Sequence, residues 1–163
     1  MNVKKGIAIL GSTGSIGTQA LEVIGAYPDI FDLQVITAHS NADLLIEQAI
    51  NHLPNAVVIG DETLYEKVKQ SLWDYDITVY AGEAALSQVV EFNEIHTVLT
   101  ALVGYAGLKP TLSAIRAKKT IALANKETLV WKEGMAEWGN IMEQNDLKSL
   151  FGLVPPPPPP TPK

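Results

Sequence analysis

The chain has 163 residues, 47% of them hydrophobic and 18% charged, with a formal net charge of −6 at pH 7 and no cysteine. Length and hydrophobic content predict one globular domain with an appended tail, and the negative charge argues against nucleic acid or an anionic membrane as a general partner. The absence of cysteine excludes disulfides, thiol catalysis and cysteine-ligated metals. The sequence also has no apolar stretch long enough to span a membrane and no signal-peptide core. These features fit a protein of a bacterial cytoplasm or a plastid stroma.

The first predicted element is a buried strand that runs directly into a glycine-rich turn and a helix. The apolar residues 7–10 are typical of a parallel strand, and helical periodicity begins at Ser15. Between them, and just beyond, glycine recurs every third residue, at Gly11, Gly14 and Gly17. We expect Gly11 to form the tight turn, Gly14 to let a pyrophosphate approach the backbone, and Gly17 to let the helix pack closely on the strand.

Hydroxyl groups surround the predicted start of this helix. Ser12, Thr13 and Ser15 add hydroxyls and amides at a helix N-terminus, where the dipole favours an anion. The order of strand, turn and helix is the context in which such glycines indicate a dinucleotide site, although the Gly-x-x-Gly-x-x-Gly spacing is wider than the Gly-x-Gly-x-x-Gly of many NAD enzymes. The alternative is a glycine-rich turn that binds no ligand.

Strands and helices alternate through the rest of the chain. The predicted strands are 31–38, 56–59, 77–80, 95–102 and 120–123, and the predicted helices are 15–26, 42–53, 61–72, 83–90, 110–117 and one that begins at Thr128. This alternation predicts an α/β fold, a Rossmann-like, doubly wound, mostly parallel sheet with helices on both faces. Ligands of such sheets bind outside the carboxyl ends of the strands, here in the loops 11–14, 38–41, 102–105 and 124–127.

The end of the second predicted strand favours NADP over NAD. An NAD enzyme usually has Asp or Glu there to bind the ribose hydroxyls, whereas this chain reads Ala38-His39-Ser40-Asn41. Ser40, Asn41 and the His39 imidazole can donate hydrogen bonds to a 2′-phosphate that a carboxylate would repel. Asn41 also suits a helix N-cap, and His39 is equally compatible with an exposed loop.

Three consecutive polar residues, Asn125, Lys126 and Glu127, follow the strand predicted at 120–123. At the carboxyl end of a buried strand, such side chains are expected to face a cleft, because burial without a partner is costly. Asn125 suits the ribose or nicotinamide of a cofactor, Lys126 an anionic or hydroxylated substrate, and Glu127 a ribose hydroxyl. The alternative is a solvated loop in which a Lys–Glu pair contributes little.

Three segments share a recognisable pattern: Leu10-Gly-Ser-Thr-Gly-Ser-Ile-Gly17, the segment 101–120 that begins Ala101-Leu-Val-Gly104, and Leu123-Ala-Asn-Lys-Glu-Thr-Leu129. Together they make residues 4 to 130 resemble the 1-deoxy-D-xylulose 5-phosphate reductoisomerase family. The resemblance implies an NADPH-binding domain of an oxidoreductase from the non-mevalonate route of isoprenoid biosynthesis. The complete enzyme would isomerise a sugar phosphate and reduce it with NADPH to 2-C-methyl-D-erythritol 4-phosphate.

Pattern and resemblance together give the candidate cofactor contacts: Gly11, Thr13, Gly14, Ser15, Ile16, Ser40, Asn41, Gly104, Asn125 and Glu127. By resemblance, the turn residues of this set hold the pyrophosphate and its ribose, Asn41 meets the adenine-side ribose phosphate, and Gly104 lines the nicotinamide end. Lys126 is implied to bind the sugar phosphate. Many members have Gly or Lys in the loop where this chain has His39 and Ser40, a departure from the family at the segment that recognises the 2′-phosphate.

The family's divalent cation, Mg²⁺ or Mn²⁺, is implied to be held by an Asp-Ser-Glu motif and a later Glu, and these 163 residues contain no such motif. Residues 1–150 are therefore expected to form an NADPH-binding domain without the family's catalytic and C-terminal domains, and without catalytic residues or metal ligands. Such a chain would bind cofactor without turnover. The alternatives are a module of another NAD(P) oxidoreductase or a non-enzymatic scaffold.

The last part of the sequence departs from this pattern. Trp131, Met135, Trp138 and Met142 recur at helical spacing, which predicts an amphipathic helix up to about residue 144 that packs on the sheet or forms an interface. Residues 151–163 include six consecutive prolines and predict an extended polyproline II tail. This tail is either a linker or a ligand for an SH3- or WW-type groove, and a homodimer is the other assembly that the resemblance suggests.

Overall fold

The computed structural model describes residues 4–124, 129–130 and 139–140. The strands are β1 Lys5–Leu10, β2 Phe31–Ala38, β3 Ala56–Ile59, β4 Thr78–Ala81, β5 Thr97–Thr100, β6 Thr120–Leu123, β7 Leu129–Val130 and β8 Gly139–Asn140. The helices are α1 Ser15–Ala26, α2 Ala42–His52, α3 Tyr65–Ser71, α4 Glu83–Val89 and α5 Leu108–Arg116, with 3₁₀ turns at Glu62–Leu64 and Gly104–Gly107.

Strands β1 to β6 form one parallel sheet in the order β4-β3-β2-β1-β5-β6. The α/β Rossmann-like fold that the alternation predicts is therefore confirmed. The chain adds β2, β3 and β4 on one side of β1 and then returns to add β5 and β6 on the other. The strand order thus reverses between β1 and β5, and the crevice beyond their carboxyl ends is where such sheets bind ligands.

Apolar side chains cover both faces of the sheet. Ile9 is buried on the face covered by α1, α2 and α3, where it belongs to one cluster with Leu21 and Leu45. Its neighbour Leu10 points to the other face and is buried in a second cluster with Val89 of α4 and with α5. This alternation along β1 is the two-residue period of a strand that is buried on both sides, as the apolar run in the sequence predicts.

The pairing of β1 with β2 contains one extra residue on β2. The register shifts after Ile7, so that Gln34 is skipped in the pairing with β1. The Gln34 side chain is only 6% exposed, and its amide donates to the Asp32 carboxylate at 2.6 Å and accepts from the Asn55 amide at 2.5 Å. These hydrogen bonds satisfy a polar group that would otherwise be costly to bury.

Several predicted boundaries differ from the structure. The helix predicted at 61–72 is a 3₁₀ turn, Glu62–Leu64, followed by α3, and the strand predicted at 77–80 is β4, one residue further along. The strand predicted at 95–102 is limited to Thr97–Thr100, because the chain continues through a loop into the 3₁₀ turn Gly104–Gly107. Helix α5 begins at Leu108 rather than at Pro110. Pro110 still lies in the first turn, where its missing N–H removes no hydrogen bond.

The helix predicted from Thr128 is wrong at the residues described beyond Ala124. Leu129–Val130 and Gly139–Asn140 pair as antiparallel strands instead. Val favours strands, and Gly is about 0.8–1.0 kcal/mol less favourable than Ala inside a helix. The apolar stripe from Trp131 to Met142 and the proline-rich tail lie outside the described residues. No helix in the described ranges is long and apolar enough to cross a bilayer.

Candidate functional site

The turn after β1 has the geometry that its glycines predict. Gly11 has a φ of +87°, a conformation that side chains other than glycine rarely adopt. A Cβ at Gly17 would overlap the carbonyl oxygen of Gly11, so helix α1 passes the turn at a distance that only glycine allows. The predicted roles of Gly11 and Gly17 are therefore confirmed.

The start of α1 offers backbone amides without side-chain competition. Gly14 is the N-cap in an extended conformation, and no side chain caps this helix and no acidic residue lies in its first turn. Gly14, Ser15 and Ile16 are exposed, and the space beside Gly14 is open, since the atom nearest to a Cβ there would be 3.6 Å away. The first amides of a helix have no intrahelical partner, so this end can receive an anion.

Ser12 does not face this opening, which corrects the sequence-based interpretation of its hydroxyl. The side chain is fully buried, and its Oγ lies 2.7 Å from Oε1 of Gln48 and 3.2 Å from the carbonyl oxygen of Thr37. The hydroxyl turns inward because two buried acceptors lie there, whereas Thr13 and Ser15 remain at the more exposed surface of the turn.

Thr37 and Gln48 are the site residues that sequence reasoning missed. Both are buried, at 1% and 6% exposure. The sequence position of each residue indicated that its side chain could be buried. Thr37 is a polar residue near the end of an apolar strand, and Gln48 lies on the inner face of α2, three residues after buried Leu45 and one before buried Ala49.

The end of β2 places three polar residues beside the turn. His39 and Ser40 are exposed, and the side chain of Asn41 accepts a hydrogen bond from the Leu44 amide at 3.3 Å, which confirms the N-cap. Next to them, Asp61 donates its amide to the carbonyl of His39 at 2.7 Å.

The pKa of Asp61 is lowered in this surrounding. The main cause is the hydroxyl of Thr63, which donates to the Asp61 carboxylate at 2.6 Å, followed by the Thr63 amide at 3.0 Å. Desolvation raises the pKa of Asp61 in part, and the smallest contribution, the charge interaction with His39, lowers it. The loop beside β2 therefore holds a carboxylate whose ionised form is stabilised mainly by Thr63.

A cleft of about 260 Å³ opens between the end of β2 and the loop after β5. Its walls are the backbone and side chains of Thr37, Ala38, His39, Leu86, Leu102, Val103 and Ala106. A second cleft of about 180 Å³ shares His39, Leu86 and Ala106 with it. Most of these residues are apolar, and such a slot near a strand-order reversal suits a flat ring such as a nucleobase.

Contacts bring the predicted site segments together. The Gly11 amide donates to Thr37 Oγ1 at 3.0 Å, which joins the turn to β2. A Cβ at Gly11 would lie 3.0 Å from the carbonyl oxygen of Ala101, so the turn also approaches the loop after β5. Gly104 follows that loop with a φ of +64° and nothing within 4 Å of its Cβ position.

The third predicted segment is only partly described. The Ala124 amide donates to the carbonyl of Thr100 at 3.1 Å, which keeps the chain beside β5 as it leaves β6. Asn125, Lys126 and Glu127 lie outside the described residues, and their proposed contacts stay predictions. Within the described ranges, no group of three or more His, Cys, Asp or Glu residues is placed to hold a metal ion.

The chain resembles known proteins over its N-terminal part. Residues 7–132 match the family model described as 1-deoxy-D-xylulose 5-phosphate reductoisomerase. The reductoisomerase of Bacteroides fragilis is 61% identical over 127 residues, which cover 78% of this chain and 33% of that protein. This chain therefore spans about a third of the length of the curated relatives that it matches.

Solved structures agree with this match. The structure of 1-deoxy-D-xylulose 5-phosphate reductoisomerase from Zymomonas mobilis in complex with NADPH superposes with a TM-score of 0.73 at 36% identity, over 77% of this chain and 33% of that one. A reductoisomerase in complex with NADPH, fosmidomycin and magnesium superposes with a TM-score of 0.72 at 34% identity, over 76% of this chain and 31% of the other.

Proposed function

Because the chain belongs to the 1-deoxy-D-xylulose 5-phosphate reductoisomerase family, we propose that residues 1–150 form the domain with which such an enzyme binds NADPH. The observation that carries this proposal is the uncapped start of α1, which lies behind a glycine turn at the point where the strand order reverses. The NADPH complex of the Zymomonas mobilis relative supports the same choice of coenzyme.

The coenzyme lies across the carboxyl ends of β1, β2 and β5 in this proposal. Amides and hydroxyls at Thr13, Ser15 and Ile16 bind the pyrophosphate, which approaches the backbone at Gly14, because the start of α1 presents donors and a favourable dipole. The adenine enters the cleft of about 260 Å³. Gly104 lines the nicotinamide end, where its positive φ and open surroundings allow close approach.

The segment after β2 distinguishes NADPH from NADH. Ser40 and Asn41 donate hydrogen bonds to the 2′-phosphate, and the imidazole of His39 adds a ring N–H donor. Asn41 performs this role in addition to capping α2, since its Oδ1 accepts from Leu44 and leaves the amide nitrogen to donate. No carboxylate follows directly on β2 to repel the phosphate.

The residues after β6 complete the site. Asn125 and Glu127 contact the cofactor, and Lys126 binds the sugar phosphate that NADPH, when bound, reduces by hydride transfer. The Asp-Ser-Glu motif that the resemblance implies for the family's divalent cation does not occur in these 163 residues, and the described residues provide no suitable cluster of ligands. We therefore expect the 163-residue chain to bind NADPH and, by itself, to convert no substrate.

The remaining expectations concern the setting of the chain. The bacterial relatives favour a bacterial cytoplasm over a plastid stroma. Residues 151–163 form a separate tail in this proposal, and a homodimer and an SH3- or WW-type partner of the tail stay predictions.

Fluorescence titration with NADPH and with NADH tests the proposal. We expect saturable binding of both coenzymes, with NADPH at least tenfold tighter. Gly14→Ala should lower the affinity for NADPH at least tenfold, since it adds a methyl group where the pyrophosphate approaches. Gly25→Ala, in the helix that follows, is the matched control and should leave the affinity unchanged. Tighter binding of NADH would favour another class of oxidoreductase, and no binding of either coenzyme would favour a non-enzymatic scaffold.

A turnover assay tests the second half of the proposal. The chain is mixed with 1-deoxy-D-xylulose 5-phosphate, NADPH and Mg²⁺, and the absorbance of NADPH is followed. We expect no consumption above the rate without protein. Consumption that depends on the sugar phosphate would contradict the absence of a catalytic centre in this chain.

A further inference from the structure

A buried hydrogen-bond network lies directly beneath the glycine turn. The Gln48 side chain binds Ser12 twice: its Nε2 donates to the Ser12 carbonyl at 2.9 Å, and its Oε1 accepts from the Ser12 hydroxyl at 2.7 Å. Ser12 and Gln48 are 0% and 6% exposed. Both polar ends of a buried glutamine amide are thus directed at a single residue of the turn.

Thr37 of β2 also binds the turn, through two hydrogen bonds. Its carbonyl accepts from the Ser12 amide at 2.8 Å, and its hydroxyl accepts from the Gly11 amide at 3.0 Å. The amides of Gly11 and Ser12 are therefore already used inside the protein. The Gly14 amide also donates within the turn, to the Gly11 carbonyl at 3.3 Å, so a phosphate binds to the amides of Thr13, Ser15 and Ile16.

The network fixes Ser12 in one conformation. Buried polar groups are costly without partners, so the paired arrangement resists any rotation of the Ser12 peptide that would break it. Since Ser12 immediately precedes Thr13, its orientation sets the direction of the amides that follow. Donors held in place before the ligand arrives bind more tightly than donors that must be ordered on binding.

The network also couples two parts of the site through α2. Gln48 lies seven residues after Asn41, about two helical turns along the same face. Asn41 begins α2 next to the segment proposed to bind the 2′-phosphate, and Gln48 reaches the turn proposed to bind the pyrophosphate. One rigid helix therefore sets the relative position of both phosphate-binding segments.

We propose that Gln48 is a positioning residue for coenzyme binding, which holds Ser12 so that the following amides are aligned for the pyrophosphate. This inference rests on the proposed function of the domain. Gln48 has no contact with the coenzyme in this proposal. A purely structural role in the core would instead affect all ligands and the whole fold alike.

Binding of two ligands by Gln48→Met separates these roles. Methionine keeps the length of the side chain and removes both hydrogen bonds. We expect a loss of about tenfold or more in affinity for NADPH, and a change of less than about twofold for adenosine 2′-monophosphate, which has the adenine and the 2′-phosphate but no pyrophosphate. An equal loss for both ligands, or none for NADPH, would overturn the inference.

Two further variants test whether the effect is specific to the network. Gln88→Met places the same substitution at an exposed position of α4 and should change neither affinity. Ser12→Ala removes the hydroxyl and leaves the carbonyl of Ser12, so its loss in NADPH affinity should be smaller. Because both substitutions break one shared network, the double variant should lose less than the product of the two single losses. Independent losses that multiply would contradict the network.

Hydrogen exchange of the protein without ligand provides a test that does not depend on NADPH. Gln48→Met should speed exchange of the Gly11, Ser12 and Thr13 amides at least tenfold relative to those in the centre of β3. Unchanged relative exchange would overturn the inference even if NADPH binds. Conversely, an unmodified chain that binds no NADPH would refute the proposed function, and the exchange experiment would still decide whether Gln48 holds the turn.

Discussion

At the scale of single residues, two glycines of the same helix have opposite surroundings. A Cβ at Gly17 would collide with the backbone of the turn, whereas a Cβ at Gly25 would meet only the His52 ring at 3.6 Å. The three-residue spacing of Gly11, Gly14 and Gly17 predicts the close approach at Gly17, and Gly25 lies outside that spacing. Only the contact with the turn makes one of them obligatory.

Substitution of these two glycines should therefore have effects of opposite sign. Gly17→Ala should lower the free energy of unfolding by about 1–3 kcal/mol, the range for overpacked sites. Gly25→Ala should raise it by about 0.5–1 kcal/mol, because alanine is the better helix former. Urea denaturation followed by circular dichroism measures both. Equal stabilities of the two variants would show that α1 does not pack on the turn as described.

A second prediction concerns the pH response of Asp61. Its pKa is lowered from 3.8 mainly by the Thr63 hydroxyl, so Thr63→Val should raise it toward the ordinary value, while Thr63→Ser should preserve the shift. The folded state favours the ionised carboxylate; this contribution is present above pH 3.8 and is lost as the pH falls through the lowered pKa. Carbon NMR of the Asp61 carboxyl during a pH titration measures the shift, and the same pKa in all three proteins would contradict its assigned cause.

Sequence reasoning at this scale succeeded for backbone roles and failed for a buried polar contact. The tight turn at Gly11 and the close approach at Gly17 follow from the chemistry of glycine, which lacks the atom that would collide. The inward direction of Ser12 depends on Gln48, which is 36 residues away in the chain. No local pattern reveals which of several neighbouring hydroxyls meets such a distant partner.

At the scale of elements, the first residue of the α2 region, Asn41, has both a structural role and a proposed binding role. Asn41 caps the helix, and the same side chain is proposed to bind the 2′-phosphate. The two roles respond differently to substitution, because an aspartate can cap a helix but repels a phosphate.

Two substitutions of Asn41 should separate these roles. Asn41→Ala should lower the free energy of unfolding by about 1 kcal/mol through loss of the cap. Asn41→Asp should change the free energy of unfolding by less than about 0.5 kcal/mol. The same variant should lower the affinity for NADPH at least tenfold, while the affinity for NADH changes little. Denaturation and coenzyme titrations measure the two effects. A parallel loss of NADPH and NADH with Asn41→Asp would argue against a contact to the 2′-phosphate.

The ends of an element are predicted accurately where residues close to them in the sequence determine them. The ends of α1, β2, β3 and β6 agree with the sequence prediction, since a glycine, a proline or a change of periodicity marks them. The pairing of Leu129–Val130 with Gly139–Asn140 was missed. Such a short strand is stabilised by its partner, and helical periodicity in the intervening sequence carries no information about pairing.

At the scale of the whole molecule, the six-stranded sheet brings the turn, the end of β2 and the loop after β5 to one edge. The alternation of elements predicted this arrangement, because right-handed crossovers leave few ways to order parallel strands. The position of the cleft could be predicted only as an edge of the sheet. Its walls depend on side chains from α4 and from the 3₁₀ turn.

Coenzyme should stabilise the folded chain as a unit. With NADPH at 100 times its dissociation constant, the free energy of unfolding should rise by about 2.7 kcal/mol, provided that the unfolded chain does not bind it. EDTA should not alter this gain, since backbone amides and hydroxyls, rather than a cation, are proposed to bind the pyrophosphate. Thermal denaturation with and without NADPH and EDTA measures both effects. A gain that disappears with EDTA would reveal a cation in the binding site.

The extra residue in β2 leaves the anchor of the coenzyme turn unchanged. Paired residues of β1 and β2 face the same side of the sheet both before and after this position: Ile7 and Leu33 belong to one buried cluster, and Ala8 and Val35 belong to the other. The extra residue is therefore accommodated locally, and Thr37 keeps the side from which its hydroxyl accepts from the Gly11 amide. A deletion of Gln34 should leave that hydrogen bond in place, and it should remove instead the buried hydrogen bonds that Gln34 makes with Asp32 and Asn55.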